Sequence, residues 1–273
     1  MLRISLLPLI LIPVLPAATA AENPGANLTP LRPTHTEPGP RPASILWVGN
    51  SFFYFNNSLH NHFNRLAASA VPAVRVRGTS VTISGAGLDW HDLASLVREN
   101  GLGRYSFVGD NELRFNPPGR QYDTCVMMDC SQCVTHPRLQ EAFHQAVRRH
   151  VQTLGAAGIR PVLFMSWAYQ DRPDMTAAVA AEYIRAANDH HLLVIPVGLA
   201  FARALAQRPG TILHDPDKRH PSLAGTYLAA ATSYAALFRQ SPEPLTYTAG
   251  LEPELAAFLR RVARETVEEF FRR

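Results

Sequence analysis

Cysteine is scarce in this chain of 273 residues: there are three, Cys125, Cys130 and Cys133. One C-x-x-C pair without a second, and without an H-x-x-H partner, argues against a structural zinc site. Charge is also sparse. The formal net charge is +4, the arginines are scattered, and no basic stripe is interleaved with aromatics, which argues against a nucleic-acid groove. No internal repeat is present, so a solenoid or propeller is not expected. Long apolar runs are missing beyond the N-terminus, so no later segment is expected to span a bilayer.

The N-terminus has the pattern of a secretory signal. Arg3 supplies the positive region, Leu6 to Leu15 the apolar region, and Ala18-Thr19-Ala20 a small-x-small cleavage site. Residues 1–20 are therefore expected as a signal peptide. The mature protein is expected to be secreted or periplasmic, with no stable membrane anchor after cleavage. Residues 21–43 are rich in Pro, Thr, Gly and Asn and lack apolar periodicity, which reads as a disordered linker. Residues 44–273 then form one domain of ordinary size. In an exported protein Cys130 and Cys133 are expected as a structural bridge or plain thiols, ahead of thioredoxin-like redox chemistry. Asn27 and Asn56 lie in N-x-S/T sequons.

Four near-continuous apolar runs read as buried strands: Ile45–Val48, Thr124–Met128, Pro161–Trp167 and Leu192–Val197, with Val74–Arg77 a weaker fifth. Helical patterns lie at Leu59–Ala70, Trp90–Glu99, Arg138–Leu154, Thr176–His190, Pro221–Phe238 and Glu252–Phe271. Residues Tyr105 to Phe115 read as a small hairpin. Alternating strands and helices predict a doubly wound α/β fold with a parallel sheet. In such sheets ligands bind beyond the carboxyl ends of the strands. Ser51, Gly85, Asp129 to Gln132, Trp167, Tyr169, Asp217 and His220 all fall on that rim.

Two segments carry the chemistry. Ser51 follows Ile45-Leu46-Trp47-Val48-Gly49-Asn50, where a buried strand ends. Alone it reads as a turn serine or helix cap, and it is not in a G-x-S-x-G elbow. Asp217 and His220, three apart on a turn, supply what a serine needs: a base, and a carboxylate to orient it. A surface turn with Asp217 or Ser222 capping the next helix is the plainer reading. His214, Asp215, Asp217 and His220 also form a compact set of metal-ligand types, ranked below the serine reading because it leaves the Ser51 segment unexplained. His91 and the His190-His191 pair read as surface and helix-end residues.

Taken in order, five stretches resemble the SGNH/GDSL-type hydrolases, in particular the branch of bacterial exported or uncharacterised proteins whose first block is G-N-S-F. They are Gly49-Asn50-Ser51-Phe52, Ser84 to His91, Cys125 to Pro137, Val162–Trp167 with Pro196-Val197-Gly198, and Asp217 to Ala230. The first and last are the specific ones. The resemblance implies a three-layer α/β/α sandwich of flavodoxin-like SGNH-hydrolase type and ester hydrolysis without a cofactor or metal. It implies Ser51 as nucleophile, His220 as base, Asp217 as its orienting acid, and the Ser51 and Gly85 N–H groups as oxyanion donors, with Gly87 a rival for the second. The chain departs at the third block, where Met128 stands near the position of a polar donor. Gln132 or Ser131 is the candidate substitute, and Gln132 and Trp167 are the candidate substrate-binding residues; Trp167 with Tyr169 reads equally as a stacking wall for a sugar ring or as half-buried packing. The implied substrate is a small acyl ester, acetyl first, on a small molecule or glycan. A glycan O-acyltransferase using the same three residues and a non-catalytic glycan-binding module are the alternatives.

Overall fold

The structure is a computed structural model that describes residues 31–99 and 101–272; the expected signal peptide lies outside them. In chain order the elements are β1 (Ser44–Gly49), α1 (Ser51–Tyr54), α2 (Leu59–Ala68), β2 (Arg77–Thr82), α3 (Leu93–Val97), β3 (Tyr105–Gly109), β4 (Glu112–Phe115), β5 (Thr124–Met127), α4 (Gln140–Ala156), β6 (Arg160–Phe164), α5 (Met175–His190), β7 (Leu193–Ile195), α6 (Val197–Gln207), α7 (Leu223–Phe238) and α8 (Pro253–Phe270). The main sheet has the order β2-β1-β5-β6-β7, and every pair in it is parallel. β3 and β4 form the separate antiparallel hairpin.

This is the doubly wound α/β architecture expected. The four apolar runs became β1, β5, β6 and β7 because strands covered on both faces need no polar alternation. On one side α2 packs with α7, and α7 with α8; on the other α4 packs with α3 and α5. Residues Ala224 to Phe238 of α7 are buried throughout, as a helix apolar on every side must be. Gly225 lets its first turn close on the preceding loop, since a Cβ there would lie 2.2 Å from the Leu213 carbonyl oxygen.

Three elements differ from the sequence reading. The second strand begins at Arg77 rather than Val74, because Val74 and Val76 only lead into it and the ladder opens with Arg77 N–H on the Ala43 carbonyl at 2.9 Å. Its half-buried, polar edge gives no apolar run to find. The helix expected over Trp90–Glu99 is a 3-10 turn at Leu88–Trp90 and a short α3, separated where the Asp92 carboxylate caps Ser95 N–H at 3.2 Å. α6 had no counterpart, since Pro196 ends β7 inside one unbroken apolar run and hides the switch from strand to helix.

Residues 31–43, the described part of the expected linker, have no helix or strand but are tied to the domain. Asn188 accepts from Thr34 N–H at 2.8 Å and donates to the Arg32 carbonyl at 2.9 Å. Arg160 donates to the Pro38 and Pro40 carbonyls. Proline supplies carbonyl acceptors without donors of its own, so a polar, aperiodic segment can still be anchored from the domain side.

Candidate active site

The order of the sheet reverses at β1, which has β2 on one side and β5 on the other, and a crevice opens beyond such a switch point. Ser51 sits there, opening α1 directly after β1. Asn50 caps that helix, its Oδ1 accepting the Phe52 N–H at 3.2 Å. Its Nδ2 donates to the carbonyls of Ala86 at 3.0 Å and Asp129 at 3.1 Å. One buried side chain thus joins the loops that follow β1, β2 and β5.

His220 arrives from 169 residues away, with Nε2 2.8 Å from Ser51 Oγ. Its Nδ1 is hydrogen-bonded to Asp217 Oδ2. Asp217 Oδ1 accepts the N–H groups of Arg219 at 2.9 Å and His220 at 3.0 Å. The loop is pinned by Lys218 N–H on the Asp215 carbonyl and Asp215 N–H on the His220 carbonyl, both 2.8 Å. Partial burial pushes the Asp217 carboxyl up, but the bonds from the His220 ring and the two backbone N–H groups outweigh it and leave it at about 2. The carboxylate is therefore an anion at neutral pH. It favours the proton on Nδ1 and leaves Nε2 to accept from the serine hydroxyl.

The two residues expected to supply oxyanion donors are Ser51 itself and Gly85, which follows β2. The Ser51 N–H occupies the first position of α1, where a helix has no internal acceptor for it. Gly85 has φ +72° and open space where a Cβ would stand. Its neighbour Ser84 meets Tyr54 of α1, the tyrosine hydroxyl donating to Ser84 Oγ at 3.2 Å. Gly87 faces the carboxylates of Asp89 and Asp129, which a Cβ would meet at 2.6 and 2.9 Å. Met128 is fully buried and offers no side-chain donor. Ser131 Oγ is engaged with the Tyr169 hydroxyl at 2.6 Å, and Gln132 is exposed.

Asp129 is buried. Its Oδ1 accepts Leu88 N–H at 3.2 Å and Cys130 N–H at 2.6 Å. Burial raises its pKa to about 6, against the lowering effect of those two bonds. Cys130 and Cys133 are joined in a disulfide, so the C-x-x-C is a bridge.

Other candidates fall elsewhere. Trp167 is not a wall for a sugar: it is 0% exposed. Phe52 stacks on one face with ring centroids 4.5 Å apart, and Phe201 stacks on it at 4.4 Å. Both stacks use the indole for packing, and its N–H donates to the Arg219 carbonyl at 3.0 Å. His91 is not a surface residue; it is buried, with Nε2 3.0 Å from the Gly49 carbonyl. The metal set does not gather. His214 Nε2 is 3.0 Å from the Ala168 carbonyl, and the one close His/Cys/Asp/Glu group among the described residues is Asp129 with the bridged Cys130 and Cys133. The Asn56 amide of the second sequon is committed to Pro221 and Thr226, and Asn27 lies outside the described residues. Sequence reasoning gave Asn50, Phe55, Asn56 and His91 no role at the site, because their partners come from distant loops. The one available signal was the crowding of Asn and Phe around Ser51.

No family model matches the chain, and no curated protein is significantly similar to it in sequence. Solved structures do match. A DUF4886 family protein from Bacteroides uniformis superposes with a TM-score of 0.55 at 18% identity, covering 81% of this chain and 93% of its own. A member of the lipolytic protein G-D-S-L family from Veillonella parvula gives 0.49 at 13% identity, covering 72% and 99%. An acetyl-xylooligosaccharide esterase variant from Geobacillus gives 0.48 at 14% identity, covering 77% and 95%. The likeness to the Bacteroides protein is one of fold, over nearly its whole length.

Proposed function

We propose that the protein is an exported serine esterase of SGNH type that hydrolyses a small acyl ester, acetyl first, carried on a carbohydrate. The observation that carries this reading is the contact of Ser51 Oγ with His220 Nε2 at 2.8 Å, with Asp217 on the other ring nitrogen. In the proposed reaction Ser51 Oγ attacks the ester carbonyl carbon as His220 takes its proton. The carbonyl oxygen gains the negative charge and faces the Ser51 and Gly85 N–H groups. Collapse breaks the bond to the alcohol, which leaves with the proton from His220. Water then attacks the acyl-serine with the same base, giving the acid and free Ser51. The carbohydrate alcohol rests on the resemblance in the sequence blocks, and export on the pattern of residues 1–20.

One observation favours a second reading. Met128 brings no donor where the third block usually has one, and losing one oxyanion donor costs about 10²–10³ in rate. A glycan-binding module without turnover fits that loss. The test is hydrolysis of p-nitrophenyl acetate by protein lacking residues 1–20, beside Ser51→Ala and His220→Ala. Turnover abolished in both folded variants supports the esterase. Turnover that survives Ser51→Ala overturns it. A silent wild type that also resists fluorophosphonate labelling favours the binding module.

A further inference from the structure

We propose that the turn from Phe55 to Ser58 is a clamp, built by the serine's own segment, that fixes the His220 imidazole against Ser51. Phe55 and Asn56 would then be positioning residues for the hydrolysis. The inference rests on the esterase reading and adds to it a determinant of rate outside the three reacting side chains.

The backbone is the first sign. Three successive non-glycine residues stand in the left-handed region, Asn56 at φ 52°, Asn57 at 66° and Ser58 at 65°. Such residues are sterically disfavoured and persist where surrounding contacts hold them. The contacts here lead to the histidine loop. Asn56 Nδ2 donates to the Pro221 carbonyl at 2.7 Å and to Thr226 Oγ1 at 2.9 Å. Pro221 directly follows His220, so this bond holds the histidine loop one peptide beyond the imidazole-bearing residue. On the other side the Asn56 carbonyl lies 2.6 Å from His62 Nε2, and His62 Nδ1 lies 3.0 Å from the Tyr247 hydroxyl. The turn is thus anchored to α2 while its amide reaches the start of α7.

Phe55 supplies the second grip. Its ring lies face to face on the His220 ring, with centroids 4.1 Å apart and planes 8° from parallel. Phe52 meets the same imidazole at its edge, at 5.5 Å and 72°. Rotation of His220 away from Ser51 would slide it off Phe55. The flat ring also faces the imidazole while it carries the serine's proton, and a cation is favoured over an aromatic face.

The test uses Asn56→Asp, which keeps the size and the tolerance for positive φ but removes the amide donor, and Phe55→Leu, which keeps apolar bulk without a flat face. Phe55→Tyr is the conservative control. With p-nitrophenyl acetate, and sites counted by fluorophosphonate labelling, kcat per labelled site is expected to fall about tenfold to a hundredfold in the first two variants, as a misplaced catalytic group does. KM stays near the wild-type value, and Phe55→Tyr recovers most of the rate. A merely structural role lowers the number of labelled sites and leaves kcat per site unchanged, which overturns the proposal. A second readout does not depend on turnover: the downfield proton of the His220–Asp217 bond, assigned against His220→Ala by NMR. It is expected to be sharp in the wild type and lost to exchange in Asn56→Asp. Its absence from the wild type, or its survival in both variants, overturns the clamp. If the wild type neither hydrolyses nor labels, the esterase reading fails and this resonance alone decides the clamp.

Discussion

Asn50 donates to the Ala86 carbonyl across 3.0 Å and so holds the turn that carries Gly85 beside the helix that carries Ser51. The same amide holds the Asp129 carbonyl, so its removal leaves two buried carbonyls without this donor. Asn50→Ala is expected to cost about 1–3 kcal/mol of stability, read as a lower urea midpoint. It is also expected to lower kcat on p-nitrophenyl acetate more than it raises KM, because on the proposed mechanism the Gly85 turn and the serine lose their common tether. Unchanged stability and rate would show that the tether is redundant.

Trp167 gives a contrast between packing and recognition. Its two stacking partners and its bond to the Arg219 carbonyl place it under the histidine loop. Trp167→Ala is expected to destabilise by about 3–5 kcal/mol, the range for truncating a buried aromatic. Trp167→Phe keeps a ring between Phe52 and Phe201 and is expected to lose less. Urea unfolding separates these outcomes. A tryptophan that served as a sugar platform would instead raise KM for a glycan ester and leave the midpoint unmoved.

What could be read in the sequence follows from how local each signal is. Ser51 and the Asp217–His220 pair were legible because each lies in a short block at the end of a recognisable element. The apolar runs of β1, β5, β6 and β7 were legible because burial on both faces leaves a continuous pattern. β2 was misplaced because an edge strand of Arg-Gly-Thr-Ser-Val-Thr has no such pattern. His91 was misread, and Trp167 was left open between sugar wall and packing, for a different reason. A histidine at a helix start and a tryptophan at a strand end look the same in sequence whether they face water or a carbonyl oxygen. Only the fold decides what covers them, and the Asn56 bond to a loop 165 residues away is of the same kind.

The pH dependence of stability contains two opposed contributions. Burial lowers the pKa of His62, His91, His150 and His214 below 6.5. As pH falls below that value the unfolded chain takes up protons first, so these groups destabilise the fold in acid. Asp129 acts the other way. Its pKa rises from 3.8 to about 6 in the fold, so the native state binds the extra proton between those values. The stability it contributes is therefore lost as pH rises from about 4 to about 6. Asn at this position retains an Oδ1 to accept the Leu88 and Cys130 N–H groups. Asp129→Asn is expected to be more stable than wild type at pH 7, by on the order of 2–3 kcal/mol, with the gain vanishing near pH 4. Urea unfolding of both proteins at pH 4.5 and pH 7 checks this, and an equal difference at the two pH values would contradict it.

The Cys130–Cys133 bridge lies next to Asp129, whose carbonyl Asn50 holds. It closes a very short loop, for which chain entropy supplies about 2 kcal/mol. The third cysteine, Cys125, is fully buried in β5, and burial raises its thiol pKa, so exchange with the bridge is not expected in the fold. The native, unreduced protein should therefore show no thiol reactive to a disulfide reagent, and unfolding it should expose one. Reduction followed by unfolding should expose three. The Cys130→Ser/Cys133→Ser pair is expected to lower the urea midpoint by an amount matching that loop term, and to slow ester turnover because the Asp129 turn loses its brace. Two reactive thiols in the native oxidised protein would mean that the bridge is open, and the brace would then have to come from Asn50, from the Leu88 N–H on the Asp129 carboxylate, and from Tyr183, whose hydroxyl lies 3.1 Å from the Asp129 N–H.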